Sequence, residues 1–313
     1  MSYPGGMLAR MVKLQYSGAL AAVSPFDLRQ SLRALQGFSV CQGEQRIADG
    51  VVRKAFAVDD DAVVVEVGAR ADGRSGVALG VYAERPLRDA PAVERAVGEW
   101  LGLGDDMAGF LAVAAGDAAI EPMVRAWGGL HQVRFASLAE GACYFVLTQR
   151  TSQRVAGVRK RRLAAAHGPA ITLDDTRYVA FPSLETLLRL GPDELGRFTG
   201  NLRQTEYLLT LIHALADMDE QWLRTAPYEE VYRELRRVRG VGEFTAVSIM
   251  LRVLGRPDRL PLHMPQFTEV AARLYGPDVS IEEVAARYGR YIGWWGYYAR
   301  TALAESAAGG RAA

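Results

Sequence analysis

The chain has 313 residues, 50% of them hydrophobic and 23% charged, with a formal net charge of +1. This excludes wholesale disorder and a collagen-like repeat, and the length accommodates about two domains. No apolar run approaches the ~18 residues needed to cross a bilayer, and two cysteines, Cys41 and Cys143, are too few for a four-thiolate zinc site, a thiolate-held iron–sulfur cluster or a secreted disulfide scaffold.

Near the N-terminus, Arg10 and Lys13 precede the apolar stretch 18–23. It is shorter than the ~7–15-residue apolar segment of a signal peptide. It is therefore expected to be an internal strand or lead-in, with the cytoplasm as default location. Ser24-Pro25 reads as an N-cap followed by a first-turn proline. Leu28, Leu32 and Leu35 follow at helical spacing, with Gly37 as the stop. The runs 51–58, 62–67 and 77–82 are strand-like, and turn residues separate them: Asp59 to Asp61, and the Asp72-Gly73 region. An antiparallel meander is predicted. From Ala92 to residue 306 the pattern is helical, broken at Gly128-Gly129, Gly168-Pro169, Phe181-Pro182, Gly191-Pro192, Pro257 and Gly276-Pro277. Short helices with short loops predict a compact helical domain. Basic residues are concentrated here: 12 Lys and Arg stand against 16 Asp and Glu in 1–122, but 25 against 20 in 123–313. That surplus weakly favours a polyanionic partner. His131, His167 and His213 show no metal-ligand spacing, and the basic run 159–162 reads as a solvated helix face.

One segment is far more informative. From Leu235 to Ala246 the sequence reads Leu-x-x-Val-x-Gly-Val-Gly-x-x-Thr-Ala, with Arg236, Arg237 and Arg239 alongside. An amphipathic helix runs into Gly240-Val241-Gly242, and an apolar helix starts at once. Such a hairpin aims free backbone N–H groups and a positive dipole end outward, a geometry suited to phosphate. Alone, Gly-x-Gly is most often a tight turn. The whole pattern resembles a helix-hairpin-helix DNA-binding element.

With that element placed, the chain resembles the helix-hairpin-helix DNA glycosylase superfamily, most closely its 3-methyladenine glycosylase II branch. Supporting blocks are Glu140 followed by Gln149 and Ser152, then Phe181-Pro182, Leu195-Gly196, Pro257 to Pro261, and the Trp295-Gly-Tyr-Tyr-Ala299 run. The resemblance spans residues 24–303 and is strongest from 137 onward. It implies an α+β chain: an N-terminal antiparallel sheet domain with helices over 1–115, then an all-α glycosylase domain over 116–313 with its hairpin at 228–254. It implies double-stranded DNA with a damaged base as partner, no membrane, no cofactor, a monomer, and a cytoplasmic, nucleoid-associated enzyme. Such enzymes flip a nucleotide out of the duplex and cut its N-glycosidic bond.

Carried over position by position, the resemblance assigns DNA backbone binding to Arg239, Gly240, Val241, Gly242 and Thr245, with a monovalent cation on the carbonyls of Arg239 and Val241. It puts the residues that plug the emptied stack at Gln149 and Arg150. The base pocket falls on Phe244, Trp295 and Tyr298. Phe244 stands where lyase-competent relatives carry lysine, so no Schiff base is expected. Arg239 stands where the family usually has proline. The largest departure is His263, which occupies the position of the catalytic aspartate. A neutral imidazole attracts a developing sugar cation only weakly, although it can act as a base toward water. Glu243 and Asp258 are the nearest acidic substitutes in sequence. Two functions follow: a monofunctional N-glycosylase for alkylated purines, or a catalytically impaired protein of the same fold that binds damaged or distorted DNA.

Overall fold

The structure, a computed structural model, describes residues 11–58 and 61–309. Arg10 and the Asp59-Asp60 part of the predicted turn lie outside the described residues. The chain opens with β1 (Lys13–Ala21), α1 (Leu28–Gly37), β2 (Gln45–Ala48), β3 (Val51–Val58), β4 (Asp61–Ala69), β5 (Gly76–Ala83) and α2 (Ala90–Leu101). The five strands form one antiparallel sheet in the order β1-β5-β4-β3-β2. The predicted meander is β3-β4-β5. The helix after Ser24-Pro25 is capped instead by Asp27, whose carboxylate accepts from the Arg29 N–H at 2.9 Å. An aspartate two residues before Arg29 reaches that orphan donor.

Strand alternation sets the packing. Val63, Val65, Val77, Leu79 and Val81 face α1 and α2, whose Leu28, Leu32, Leu35, Val93, Val97 and Trp100 complete that core. The opposite face carries Ala55, Ala62 and Val64, which meet Ile171, Leu173 and Tyr178.

The helical part follows as α3 (Ala108–Ala115), α4 (Glu121–Ala126), α5 (Leu138–Leu147), α6 (Gln153–His167), the hairpin β6 (Ala170–Leu173) and β7 (Thr176–Val179), α7 (Leu184–Leu188), α8 (Pro192–Gly196), α9 (Leu202–Ala216), α10 (Glu220–Thr225), α11 (Tyr228–Arg237), α12 (Glu243–Arg252), α13 (Pro265–Tyr275), α14 (Ile281–Tyr288) and α15 (Ile292–Gly309). The β6-β7 hairpin, which turns through Asp174 and Asp175 at positive φ, is the β exception in this part. It covers the second face of the sheet. Every residue of α5 is buried, so this helix is the axis around which α6, α9 and α12 pack. A separate aromatic core joins α3 and α4 to α13, α14 and α15. The predicted boundary at 115/116 falls between α3 and α4, which belong to this same core.

Candidate functional site

The hairpin is anchored from within. Val231 and Leu235 on α11, then Val238 and Val241, are buried, so the residues between and after them are left facing outward. The Val241 N–H donates to the Val238 carbonyl at 2.9 Å, closing the turn. Gly240 has φ +91, and a Cβ there would sit 2.2 Å from the Tyr207 ring. Both facts demand glycine. Gly242 differs: its φ is −78, it is exposed, and a Cβ would meet nothing nearer than an Arg236 nitrogen at 3.9 Å. It is the N-cap of α12, and no side chain takes up the first N–H groups of that helix. The hairpin therefore presents bare backbone donors at an open surface.

Gln149 and Arg150 part company. The Gln149 amide donates to the Gly240 carbonyl at 2.8 Å and to the Thr245 hydroxyl at 3.2 Å, with Thr245 itself buried. Gln149 thus pins the turn between α5 and α6 to the hairpin and is not free to enter a duplex. Arg150, the next residue, is exposed with φ +53. Of the pair, Arg150 is the exposed side chain. Arg239 reaches Glu206 at 3.2 Å in an exposed ion pair.

The expected cation on the carbonyls of Arg239 and Val241 does not fit. The Arg236 guanidinium already donates to the Val241 carbonyl at 3.0 Å, and the neighbouring Gly240 carbonyl is taken by Gln149. A metal ion would have to displace the chain's own positive group.

Beside the hairpin lies a cavity of about 900 Å³. Its walls come from α12 and α15, from α5, from the chain after α1 and from the entry to α13. Phe244 lines it, half-buried and edge-on to Phe145 at 6.1 Å. The other two predicted pocket residues do not. Trp295 is fully buried in the aromatic core, with its indole N–H on the Tyr275 hydroxyl at 2.9 Å. Tyr298 is buried too, donating to the Leu130 carbonyl at 2.6 Å. Their neighbours Gly296 and Tyr297 line the cavity instead. A helix turns about 100° per residue, so Tyr297, Arg300 and Thr301 share one face while Trp294, Trp295, Tyr298 and Ala302 share the one turned to the core.

Sequence reasoning missed the polar lining. Arg252, Gln132 and Tyr144 all border the cavity. Arg252 had a signal: Phe244, Ser248 and Arg252 are spaced four apart on one face of α12. Gln132 and Tyr144 had none, because the chain brings them there only through tertiary packing.

His263 is exposed on the approach to α13 and is not part of the cavity wall, whereas Leu260, Pro261 and Gln266 are. Its Nδ1 is 3.6 Å from a Glu243 carboxylate oxygen. Glu243 is the first residue of α12 and directly precedes Phe244. A carboxylate therefore does stand beside the histidine, contributed by the hairpin helix. Asp258 lies elsewhere, near Tyr228 and Arg256. The chain has three lysines, and none lines the cavity. Lys54 and Lys160 are buried in ion pairs behind α5.

A second group of ligand-type side chains, Cys41, Glu44 and Glu140, converges in that region. Lys160 occupies its centre, with Nζ 2.6 Å from Glu140, 2.8 Å from Glu44 and 3.5 Å from the Cys41 sulfur. Burial pushes the Cys41 thiol up to about 12, so it stays protonated. An ammonium ion fills the place a metal would take.

The fold recurs among solved structures. A 3-methyladenine DNA glycosylase from Archaeoglobus fulgidus superposes with a TM-score of 0.73 at 20% identity, over 91% of this chain and 97% of that one. The fold is that of the helix-hairpin-helix DNA glycosylases. An 8-oxoguanine glycosylase/lyase from Clostridium acetobutylicum shares it, with a TM-score of 0.67 at 17% identity over 93% and 98% of the two chains. In sequence, the glycosylase-fold chain is 23% identical to a DNA-3-methyladenine glycosylase of Bacillus subtilis, over 69% of this chain and 72% of the relative. It is 29% identical to a probable bifunctional transcriptional activator/DNA repair enzyme AlkA of Mycobacterium tuberculosis, over 56% of this chain but 33% of that protein. No protein-family model matches. Among the described residues, no helix is long and apolar enough to cross a membrane.

Proposed function

We propose that this protein is a base-excision DNA N-glycosylase without lyase activity, acting as a monomer on an extruded purine. The observation that carries the reading is the adjacency of a bare-backbone hairpin to an aromatic cavity large enough for a purine. Phe244 is common to both, because it sits in the first turn of the hairpin helix and lines the cavity. The hairpin would hold the backbone, Arg150 would enter the vacated stack, and the base would rest against Phe244 and Tyr297. Alkylated purines are the substrates that the names of the sequence relatives suggest. Glu243, paired with His263 at the start of the hairpin helix, is the carboxylate best placed to face the sugar as positive charge develops. The absence of lysine from the cavity wall supports hydrolysis by water over a Schiff base.

A second reading rests on position 263 itself. With histidine where the family has aspartate, the protein would bind distorted DNA without cutting it. Single-turnover release of free base from lesion-bearing duplex separates the two. The enzyme reading expects release above the spontaneous rate, an intact abasic product, and no covalent adduct on borohydride trapping. Binding without release favours the second reading, and a trapped adduct removes the claim of monofunctional chemistry.

A further inference from the structure

The lining of the cavity is at odds with a positively charged occupant. Its charged residues are Arg33, Arg252, Arg273 and Arg300 against one acidic residue, Glu269, which is exposed. Arg252 lies deepest in charge terms: its guanidinium packs over Phe38 at 4.7 Å and Tyr297 at 5.2 Å, and one nitrogen donates to the Val133 carbonyl at 3.2 Å. Its Nε–H is buried with no partner, and no carboxylate pairs with it among the described residues. Gln132 is fully buried, and neither its amide nitrogen nor its amide oxygen has a partner. The Tyr144 hydroxyl is also unpaired, and burial pushes it up to about 12, which keeps it a neutral donor. Unpaired buried groups of this kind are costly unless something completes them.

We propose that the cavity selects uncharged purines that present acceptor atoms, a ring nitrogen or a carbonyl oxygen, to Arg252 and Gln132, and discriminates against purines with a fixed positive charge. The inference rests on the reading of this cavity as the base pocket. It reverses the charge preference expected if cationic N3- or N7-alkyl purines were the substrates.

The chemistry is consistent. When a cationic purine leaves, the bond pair returns to a nitrogen that becomes neutral, and the pocket has nothing to stabilise. When an uncharged purine leaves, the C1′–N9 pair departs with N9 and negative charge spreads over the ring. Water supplies the oxygen that bonds to C1′ and loses one proton; the departing base gains one. A guanidinium in a low-dielectric wall stabilises that transient anion, and arginine keeps its own proton throughout. Burial, reinforced by the mutual repulsion of Arg252 and Arg300 at the latter, pushes both guanidinium groups below their ordinary value. Each would gain from an anionic neighbour.

The test has two arms. In the first, binding of inosine and of 7-methylguanosine to the whole protein is followed on the acid side of neutrality, where the latter is a cation, by the change in tryptophan fluorescence, Trp127 being the tryptophan that borders the cavity. Inosine should bind about tenfold more tightly or better, Arg252→Met should bring the ratio close to one, and Arg252→Lys should retain part of it. In the second, single-turnover release is compared for duplexes carrying hypoxanthine, 8-oxoguanine or 7-methylguanine, each corrected for spontaneous loss. At least one uncharged base should leave faster than the cation, and Arg252→Met should slow it with abasic-DNA affinity retained. Equal or tighter binding of the cation, a ratio unmoved in Arg252→Met, or no binding of either nucleoside would overturn the proposal. Preference in the first arm with no release in the second would leave the pocket assignment standing and remove the glycosylase reading.

Discussion

At the scale of single residues, the proposed reaction turns on which group would face the sugar. The His263 and Glu243 side chains are both about half exposed, at 54% and 49%, and both lie outside the cavity wall, 3.6 Å apart; Glu243 directly precedes Phe244, which lines the cavity. A carboxylate stabilises a developing cation through charge, and its removal is expected to lower the rate about a hundredfold. Glu243→Gln should therefore cost more in single-turnover rate than His263→Ala, and His263→Asp should raise the rate by adding a second carboxylate. Should His263→Ala abolish release while Glu243→Gln leaves it unchanged, the assignment to Glu243 fails. The same site shows what single residues disclose in sequence. Phe244, singled out by its place in the hairpin pattern, lines the cavity. Trp295 and Tyr298 fall on the core side because an aromatic run says nothing of helix phase: Tyr297, between them, faces the cavity. The unpaired Gln132 is invisible in sequence, since only its burial makes it unusual.

At the scale of elements, the hairpin was legible because its constraints are local: two glycines, buried valines on either side and a helix at each end. The structure adds that its two glycines do different work. Gly240 is required by a left-handed backbone and by the Tyr207 ring against it, so Gly240→Ala should destabilise the protein by about 1–3 kcal/mol. Gly242 has room for a methyl group within the fold. Gly242→Ala should therefore melt with the wild type yet bind duplex DNA more weakly, whatever the sequence, because the methyl group would meet the phosphate backbone. Affinity of the wild type should fall steeply with salt through counterion release. Melting curves and salt-dependent titrations of both variants check this, and Gly242→Ala binding at full strength would mean that the backbone does not approach there. The β6-β7 hairpin was not legible. Its strands are four residues each, and its burial comes from the outer face of a sheet more than a hundred residues earlier in the chain. Nothing local signals such a partner.

At the scale of the molecule, the sheet and the helical part are tied together by a buried ionic cluster. Lys54 on β3 and Glu44 ahead of β2 meet Glu140 on α5 and Lys160 on α6, with Lys160 bonded to both carboxylates. The same region carries Phe38 and Val40, which form part of the cavity wall, so the cluster also positions the pocket. Burial alone would push Glu140 up, but Lys160 and Lys54 more than reverse this and hold it down at about 2. A carboxylate depressed in the folded state contributes stability that is complete above its unfolded value of about 4.3 and is lost as pH falls toward the folded value. The relevant window is therefore about pH 5 down to pH 2. Glu140→Gln leaves Lys160 short of one counter-charge in the interior, and breaking a buried pair in this way costs about 3 kcal/mol. At pH 7 the variant should unfold at a clearly lower urea concentration than the wild type. As pH falls toward 3 the gap should shrink by about half, because the wild type then loses what the variant never had. Urea unfolding of both proteins at pH 7, 5, 4 and 3 measures this directly. A gap that stays constant across the series would mean that Glu140 does not titrate in that window and that the cluster is held by packing instead of charge.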